Sequence, residues 1–304
     1  MSGHHSFSEP IPIGEVAAPP AIRLPQPEVL FAERAERLRG LADGHGLAPY
    51  LKFLADLSAI QRRILTGLPR TTWPSPEAIA HTVTAGTPPL DRGGFLIDAA
   101  FAATWDRLAT ALRQVAMPDP ARVALARIDR ADDEARAAFV RNLLADAVPA
   151  HAFAEHALMA AALQVHFTRI AAGLDAKGLK ASGGGTCPVC AGPPAASLIV
   201  GWVGAHGTRY CACGLCGTLW NYVRIKCTLC GSTGGIAYQG IDGGPDIATA
   251  ETCDRCRGYV KILHQDKEPA LDPIADDVAT VALDLLVCEA GYRRGAFNPF
   301  LLGY

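Results

Sequence analysis

Four Cys-x-x-Cys pairs lie in the second half of this 304-residue chain. They are CPVC, CGLC, CTLC and CDRC, and their cysteines are Cys187, Cys190, Cys213, Cys216, Cys227, Cys230, Cys253 and Cys256. Adding 40 to each cysteine of the first two pairs gives a cysteine of the last two, so the segment is an internal repeat. Each copy holds four cysteines, enough to complete a tetrahedral thiolate shell around one metal ion. The sequence therefore predicts two metal sites, each with four cysteine ligands.

The repeat favours a site within each copy, so that the first CxxC pairs with the second and the third with the fourth. A cross-braced arrangement, in which the first pair joins the third, also fits the spacing. Four thiolates suit zinc and a single iron ion equally well, and iron–sulfur clusters also use four cysteines. A thioredoxin-type dithiol needs one CxxC in a βαβ setting, so four pairs in a repeat favour metal binding over redox chemistry alone.

Two further cysteines lie outside the repeat. Cys211 precedes Cys213 by two residues, and the position 40 residues later is Glu251, so Cys211 is not part of the shared scaffold. It is interpreted as a bystander thiol, with an alternative ligand or a reactive thiol as the competing interpretations. Cys288 lies on the predicted C-terminal helix, where we expect it to pack as a small hydrophobic side chain.

The coarse pattern divides the chain into five segments. Residues 1–28 are Pro-rich and predict a disordered leader. Residues 29–182 carry apolar stripes at helical spacing and predict an all-α domain. The glycine run near 183–185 predicts a flexible linker. Residues 183–225 and 226–268 combine short β-prone runs with CxxC turns, which predicts two tandem rubredoxin-like (zinc-ribbon-like) modules, and residues 269–304 predict a C-terminal helix and tail. The fold class is a multidomain α+β protein.

Charge and hydropathy argue against two function classes. Between Cys187 and His264 there are six Lys or Arg against four Asp or Glu, far from the basic patch of a phosphate binder. No run approaches the roughly 20 apolar residues of a membrane span, and the N-terminus lacks a signal-peptide pattern. We therefore expect a cytoplasmic protein that binds no nucleic acid and is not an integral membrane protein. In that compartment thiols stay reduced, which favours metal sites over disulfides.

Motifs for catalysis are weak in this sequence. The nine histidines form no HExxH cluster, and no nucleophile–base pair, P-loop or dinucleotide fingerprint stands out. The chain is therefore predicted not to be an enzyme, although a thiol–disulfide or sulfur-transfer catalyst remains an alternative. Asp276 and Asp277 open the last predicted helix, where carboxylates favour the helix dipole. A role in docking a partner, or in supporting the metal ligands from outside, is the alternative interpretation for this pair.

Several runs carry a family resemblance. CPVCAGPPAASLI, RYCACGLCGTLWNYVRIKCTLCGS, AETCDRCRGYVKIL and ADDVATVALDLLVCEAGYRRGAFNPF resemble the formate dehydrogenase accessory protein FdhE family, and LFAERAERLRGLADGHGLAPYLKFLADLSAIQ is similar to that family's N-terminal domain. The resemblance departs at Cys211-Ala212, where family members commonly show a Leu-His-like pair.

The resemblance implies a cytoplasmic assembly helper with two iron-binding rubredoxin-like modules. Its implied partner is the catalytic subunit of formate dehydrogenase, a molybdenum or tungsten enzyme, bound at a late maturation step before or alongside Tat-dependent export. Carried onto this chain, the eight repeat cysteines would hold two mononuclear tetrathiolate irons, with zinc possible, and Asp276 and Asp277 would contribute to partner binding. A zinc-ribbon scaffold or a redox-sensing module for another partner is the alternative. The sequence does not determine the oligomeric state.

Overall fold

A computed structural model describes residues 18–71, 73–180, 184–244 and 246–301. Its N-terminal half is helical, and its second half is built around one β-sheet, which confirms the predicted α+β fold. The longer helices of the first half are α1 Pro27–Ala42, α2 Ala48–Ile64, α3 Pro76–Ala85, α4 Ala99–Leu112, α5 Asp119–Arg130, α6 Asp133–Leu144 and α7 Phe153–Ala172. Short 3₁₀ turns lie at Arg92–Gly94, Ala150–Ala152 and Ala176–Gly178.

Local sequence explains where these helices begin. Pro27 occupies the first turn of α1, where its missing N–H costs nothing. The side chains of Ser75, Asp98 and Asp132 accept backbone N–H bonds at the starts of α3, α4 and α6. Helix α3 buries none of its residues, so the sequence shows no apolar stripe there. Helix α7 is buried nearly all round and forms the centre of the helical body.

The N-terminal segment differs from its expected disorder. Residues 1–17 of the expected leader lie outside the described residues. In the remainder, strand β1 Ile22–Arg23 pairs with Trp220 and Leu219, and the Ile22 side chain is buried. The expectation of disorder is therefore wrong for residues 18–28, because sheet pairing and burial that no local pattern reveals hold this segment.

The eight strands found among the described residues form a single sheet. After β1 come β2 Pro194–Ile199, β3 Arg209–Cys213, β4 Leu219–Asn221, β5 Ile236–Gln239, β6 Ala248–Cys253, β7 Gly258–His264 and β8 Arg293–Arg294. Their order is β1-β4-β3-β2-β7-β6-β5, with β8 beside β7. Each cysteine repeat supplies an antiparallel three-stranded unit, and parallel pairing of β2 with β7 joins the two units. The two modules are thus separate segments of the sequence, but their strands form one continuous hydrogen-bonded sheet.

Besides this strand pairing, two further contacts join the two three-stranded units, which are called the sheet halves below. Arg209 on β3 donates to both carboxylate oxygens of Glu251 on β6, at 2.7 and 2.9 Å, and both side chains are fully buried. Gly185, at the end of the expected linker, lies so close to the next module that a Cβ there would be 1.7 Å from the Thr228 carbonyl oxygen. The described end of the linker is therefore a packed junction, and residues 181–183 lie outside the described residues.

The C-terminal segment packs back on the second module. It forms α8 Ala275–Ala279 and α9 Val281–Glu289, separated at Thr280, where one continuous helix is predicted. Cys288 is exposed, so its predicted packing is wrong: it lies on the outer side of α9, while Leu283 and Val287 face the core. Within the described parts of the chain, no helix has both the length and the apolar character needed to cross a bilayer.

Candidate metal centres

The first centre brings together Cys187, Cys190, Cys213 and Cys216. Their sulfur atoms all lie within 4.8 Å of one another, and all four residues are buried. The Sγ atoms of Cys187 and Cys216 are 3.5 Å apart, and those of Cys190 and Cys213 are 3.4 Å apart. The first CxxC turn precedes β2, and the second follows β3, so the antiparallel pairing of these strands places the two turns face to face.

Polar hydrogens surround the sulfurs of this first centre. Backbone N–H groups of Val189 and Leu215 donate to Cys187 Sγ and Cys213 Sγ, each at 3.4 Å. These two bonds stabilise thiolate over thiol because they place positive hydrogen toward the negative sulfur. The Cys216 thiol donates to Thr218 Oγ1 at 3.2 Å. The CxxC turns thus provide hydrogen-bond donors to the sulfur atoms as well as the cysteines themselves.

The helical body closes over the first centre. Leu90 N–H donates to Val189 O at 2.8 Å, and Arg92 N–H donates to Cys190 O at 3.2 Å. From α7, Gln164 Nε2 donates to Gly214 O at 2.7 Å. All four cysteines belong to the same hydrophobic core as the buried faces of the helices. The first centre is therefore part of the interior that holds the helical body together.

Arg92 also contributes charge at this centre. Burial alone would lower its pKa, but an ion pair with Asp146 and the negative charge of Cys190 and Cys213 raise the pKa above its usual value. A tetrathiolate around a divalent ion carries a net charge of about −2. A fixed guanidinium beside it offsets part of that charge in a dry environment.

The second centre gathers Cys227, Cys230, Cys253 and Cys256, also with all sulfurs within 4.8 Å. The Sγ atoms of Cys227 and Cys256 are 3.8 Å apart, and those of Cys230 and Cys253 are 3.7 Å apart. Here only Cys227 and Cys253 are buried; Cys256 is half-buried and Cys230 is exposed. The repeat spacing thus produces two groups with the same sulfur pairing, and the cross-braced alternative does not occur.

Both groups fit a tetrahedrally bound ion. A tetrahedron with metal–sulfur distances of about 2.3 Å has sulfur–sulfur edges of about 3.8 Å, close to the measured separations. Four converging sulfur donors suit a soft divalent cation. Burial raises the pKa of Cys187 well above that of a free thiol and raises the pKa of Cys227 to about 12, so these two thiols are protonated without metal. A bound metal ion removes these protons and compensates the buried charge.

Cys211 belongs to neither group. It is buried on β3, with its Sγ atom 3.6 Å from Ser197 Oγ, and burial raises its pKa to about 11. The side chain of Arg209 also bonds Ser197 Oγ, at 2.9 Å. Cys211 therefore lies beside the ion pair that joins the sheet halves, where a protonated thiol packs as a small apolar group.

Asp276 and Asp277 do not form an exposed partner-binding surface. Asp276 is 1% exposed and bonds Arg37, while Asp277 is fully buried between Lys261 and Arg294. The side chains therefore cannot reach a partner while α8 remains in place, and the expectation of direct docking needs correction. The contacts of these two carboxylates attach the C-terminal segment to α1 and to the sheet. The same contacts stabilise the carboxylates, since a buried charge needs an oppositely charged partner.

Sequence reasoning missed the residues that position the two centres. Arg92 and Gln164 lie in the helical half, far from any CxxC, and ordinary loop and helix patterns surround them. Glu251 could have been recognised in part from the sequence, because an acidic residue stands in the middle of a β-prone run, two residues before Cys253. Such a residue predicts a buried partner but does not identify Arg209.

Family models match consecutive parts of the chain. The model described as FdhE, N-terminal, matches residues 19–183, the FdhE central domain matches 186–224, and the FdhE C-terminal domain matches 225–301. Protein FdhE homolog from Rhizobium meliloti (strain 1021) is 40% identical over 298 residues, covering 97% of each chain. Protein FdhE from Escherichia coli O127:H6 is 32% identical over 288 residues, covering 93% of this chain and 91% of its own.

A solved structure shows the same fold. The crystal structure of the FdhE protein from Pseudomonas aeruginosa matches with a TM-score of 0.83 and 32% sequence identity. The match covers 94% of this chain and 99% of that chain. The likeness therefore extends over the helical body and the sheet together.

Proposed function

Because the chain belongs to the FdhE family, we propose that it is an accessory protein for the assembly of formate dehydrogenase. It binds the catalytic subunit in the cytoplasm, late in maturation, and acts by binding and not by catalysis. The observation that supports this proposal best is the match of three consecutive FdhE family models over residues 19–183, 186–224 and 225–301.

We propose that the eight cysteines hold two mononuclear iron ions as tetrathiolate sites, with zinc as the competing metal. The sulfur separations support one ion per group, because a cluster with bridging sulfides holds its cysteine sulfurs farther apart. Bound iron would supply thiolate-to-metal absorption and one-electron redox chemistry. Anaerobic purification with elemental analysis should give two metal ions per chain; far fewer ions, with eight freely titratable thiols, would contradict the proposal.

The cysteine-rich region is the part that we propose to contact the client. Its second centre reaches the surface, whereas the helical body covers the first. The charge of this region is nearly balanced, so we expect binding to weaken only modestly between low and physiological salt.

The decisive experiment is co-purification of the formate dehydrogenase catalytic subunit with the full-length protein from the source cell. Wild type should capture the subunit, and Cys253→Ser should lose it because the second centre no longer holds its shape. Arg122→Ala, at an exposed site on α5, is the matched control and should bind as wild type does. If wild type captures no subunit, and deletion leaves formate dehydrogenase activity unchanged, the proposal fails and a zinc-ribbon scaffold for another partner takes its place.

A further inference from the structure

The two centres differ most at one pair of equivalent ligands. Cys190 and Cys230 stand 40 residues apart and occupy the same place in their CxxC turns. Cys190 is fully buried, whereas Cys230 is exposed. Their local turns are the same: Ala191 N–H donates to Cys187 O at 2.9 Å, and Gly231 N–H donates to Cys227 O at 2.9 Å. The difference in exposure therefore comes from what surrounds each turn.

External contacts hold the turn at Cys190. Arg92 N–H donates to the Cys190 carbonyl, and the Arg92 side chain passes about 3.8 Å from the place where a Cβ on Gly192 would lie. At the turn of Cys230, no described residue of another segment donates a backbone hydrogen bond to the Cys230 carbonyl, although Gly185 packs against Thr228 at the start of this turn. The segment that follows, from Gly231 to Gly235, is mostly exposed.

The residue after each ligand shows the same contrast. Ala191 has φ of 63° and Gly231 has φ of 73°, both in the left-handed region. Alanine is strained there, so surrounding contacts must hold the first turn in place. Glycine adopts this conformation freely and adopts others equally well. The turn that carries Cys230 can therefore rearrange at lower cost.

The rest of the second centre is anchored. Cys227 and Cys253 are buried, and Tyr222 donates its hydroxyl to Cys227 O at 3.1 Å. The Leu229 side chain fills a space where a Cβ on Gly258 would lie 2.4 Å from it, so the base of the site is tightly packed. An ion that loses Cys230 would remain attached through the other three sulfurs.

From these observations we propose that Cys230 is an exchangeable ligand and that the second centre shares or transfers its metal ion through it. In the exchange, the metal–Sγ bond of Cys230 breaks and a bond to an incoming cysteine thiolate of a partner forms. The partner thiol releases one proton and the freed Cys230 thiolate takes up one, with no change of oxidation state. This inference goes beyond the proposed assembly role, because ligand exchange at Cys230 can be measured without formate dehydrogenase.

The first test is pulse alkylation of the full-length protein carrying cadmium at both centres, followed by peptide mass spectrometry. Cys230 should react with N-ethylmaleimide at least about tenfold faster than Cys190, because thiolate access controls the rate. Equal rates at the two positions, or Cys256 reacting first, would overturn the assignment. This measurement uses the unaltered chain and so does not depend on any variant folding.

The second test uses a metal-free peptide with four cysteines as the acceptor. Cadmium-113 NMR should show two protein resonances, of which one disappears on adding the peptide while the other persists. Gly231→Ala should speed the loss about two- to threefold, since alanine at the φ of 73° strains the native turn, and Ala191→Gly is the matched change in the first turn. Loss of both resonances at the same rate, or retention of both, would contradict exchange at Cys230.

Discussion

The two cysteine centres share their spacing and sulfur pairing but differ in their surroundings. The first lies in the core that the helical body also uses, and the second lies where the sheet meets solvent. The spacing of the cysteines along the chain therefore determines which sulfur atoms can bind an ion. The packing of other segments around them determines whether the site is buried or accessible to solvent. The same ligand set can serve as a structural element in one copy and as a reachable site in the other.

The residues inside the CxxC turns follow this difference. Pro188-Val189 and Gly214-Leu215 occupy the first two turns, and all four residues are buried. Thr228-Leu229 and Asp254-Arg255 occupy the last two; Thr228 is buried and Leu229 half-buried, whereas Asp254 and Arg255 are exposed. Apolar inner residues let a turn pack under α7, whereas a charged pair keeps its turn in water because burying an unpaired charge is costly.

The largest contrast should come from removing equivalent ligands. Cys187→Ser should destabilise the whole protein by more than about 4 kcal/mol, because the loss of metal affinity also opens the core of the helical body. Cys227→Ser should unfold only the second half of the sheet and leave a protease-resistant helical body with the first centre. Limited proteolysis and thermal melting measure both outcomes. Identical fragments from the two variants would show that the centres are equivalent.

The next effect concerns the junction between the centres. Glu251→Gln should cost about 3 to 5 kcal/mol in unfolding free energy, because the Arg209 guanidinium is left buried without its carboxylate. The double change Arg209→Met/Glu251→Leu should recover most of this loss. Asp129→Asn, which breaks the exposed pair with Arg113, is the control and should cost about 0 to 1 kcal/mol. Urea unfolding checks all three; equal costs for both pairs would refute the junction's role.

Exchanging the inner residues of the turns tests what sets exposure. Leu215→Arg should destabilise the protein by about 3 kcal/mol, because it forces a charge into the core under α7. The reciprocal change, Arg255→Leu, should alter stability by less than about 0.5 kcal/mol because the position is exposed. Chemical denaturation of both variants gives the comparison. A large destabilisation by Arg255→Leu would show that other residues pack against this side of the second centre.

The smallest effect is a pH dependence of the helical body. His166 on α7 is buried among Phe95, Phe101 and Phe167. Among the described residues neither ring nitrogen has a hydrogen-bond partner, Asp98 Oδ1 lies 4.0 Å from Nε2, and burial lowers the pKa of His166 to about 4. The unfolded chain takes up the proton near pH 6.5 and the folded chain only near pH 4, so stability falls as the pH drops through this interval.

We expect this histidine to remove about 2 kcal/mol of unfolding free energy between pH 7 and pH 5. His166→Phe should lose that part of the pH dependence, while the exposed control His206→Gln should keep it. Melting curves at both pH values separate the histidine from the cysteine ligands, which are unchanged in every variant. An unaltered pH profile for His166→Phe would contradict the assignment.

Much of the helical body could be predicted from periodicity, because Phe31, Leu38 and similar residues repeat along the buried face of each helix. Helix α3 and strand β1 were missed for opposite reasons. Helix α3 has caps but no buried face, and β1 consists of two residues whose structure depends on distant Trp220. The break at Thr280 was also missed, since both flanking segments favour helix and tertiary packing separates them.

The sequence by itself determined the eight candidate ligands, the repeat that favours two groups of four, and the strand-rich character around them. These features follow from short-range geometry: a CxxC turn brings two sulfurs together, and a repeat of 40 residues does so twice. Tertiary structure alone decided that the two units share one sheet, that Arg209 meets Glu251, and that Asp276 and Asp277 are buried. It also decided that Cys190 is buried and Cys230 is exposed, because the exposure of a turn depends on which distant segments pack against it.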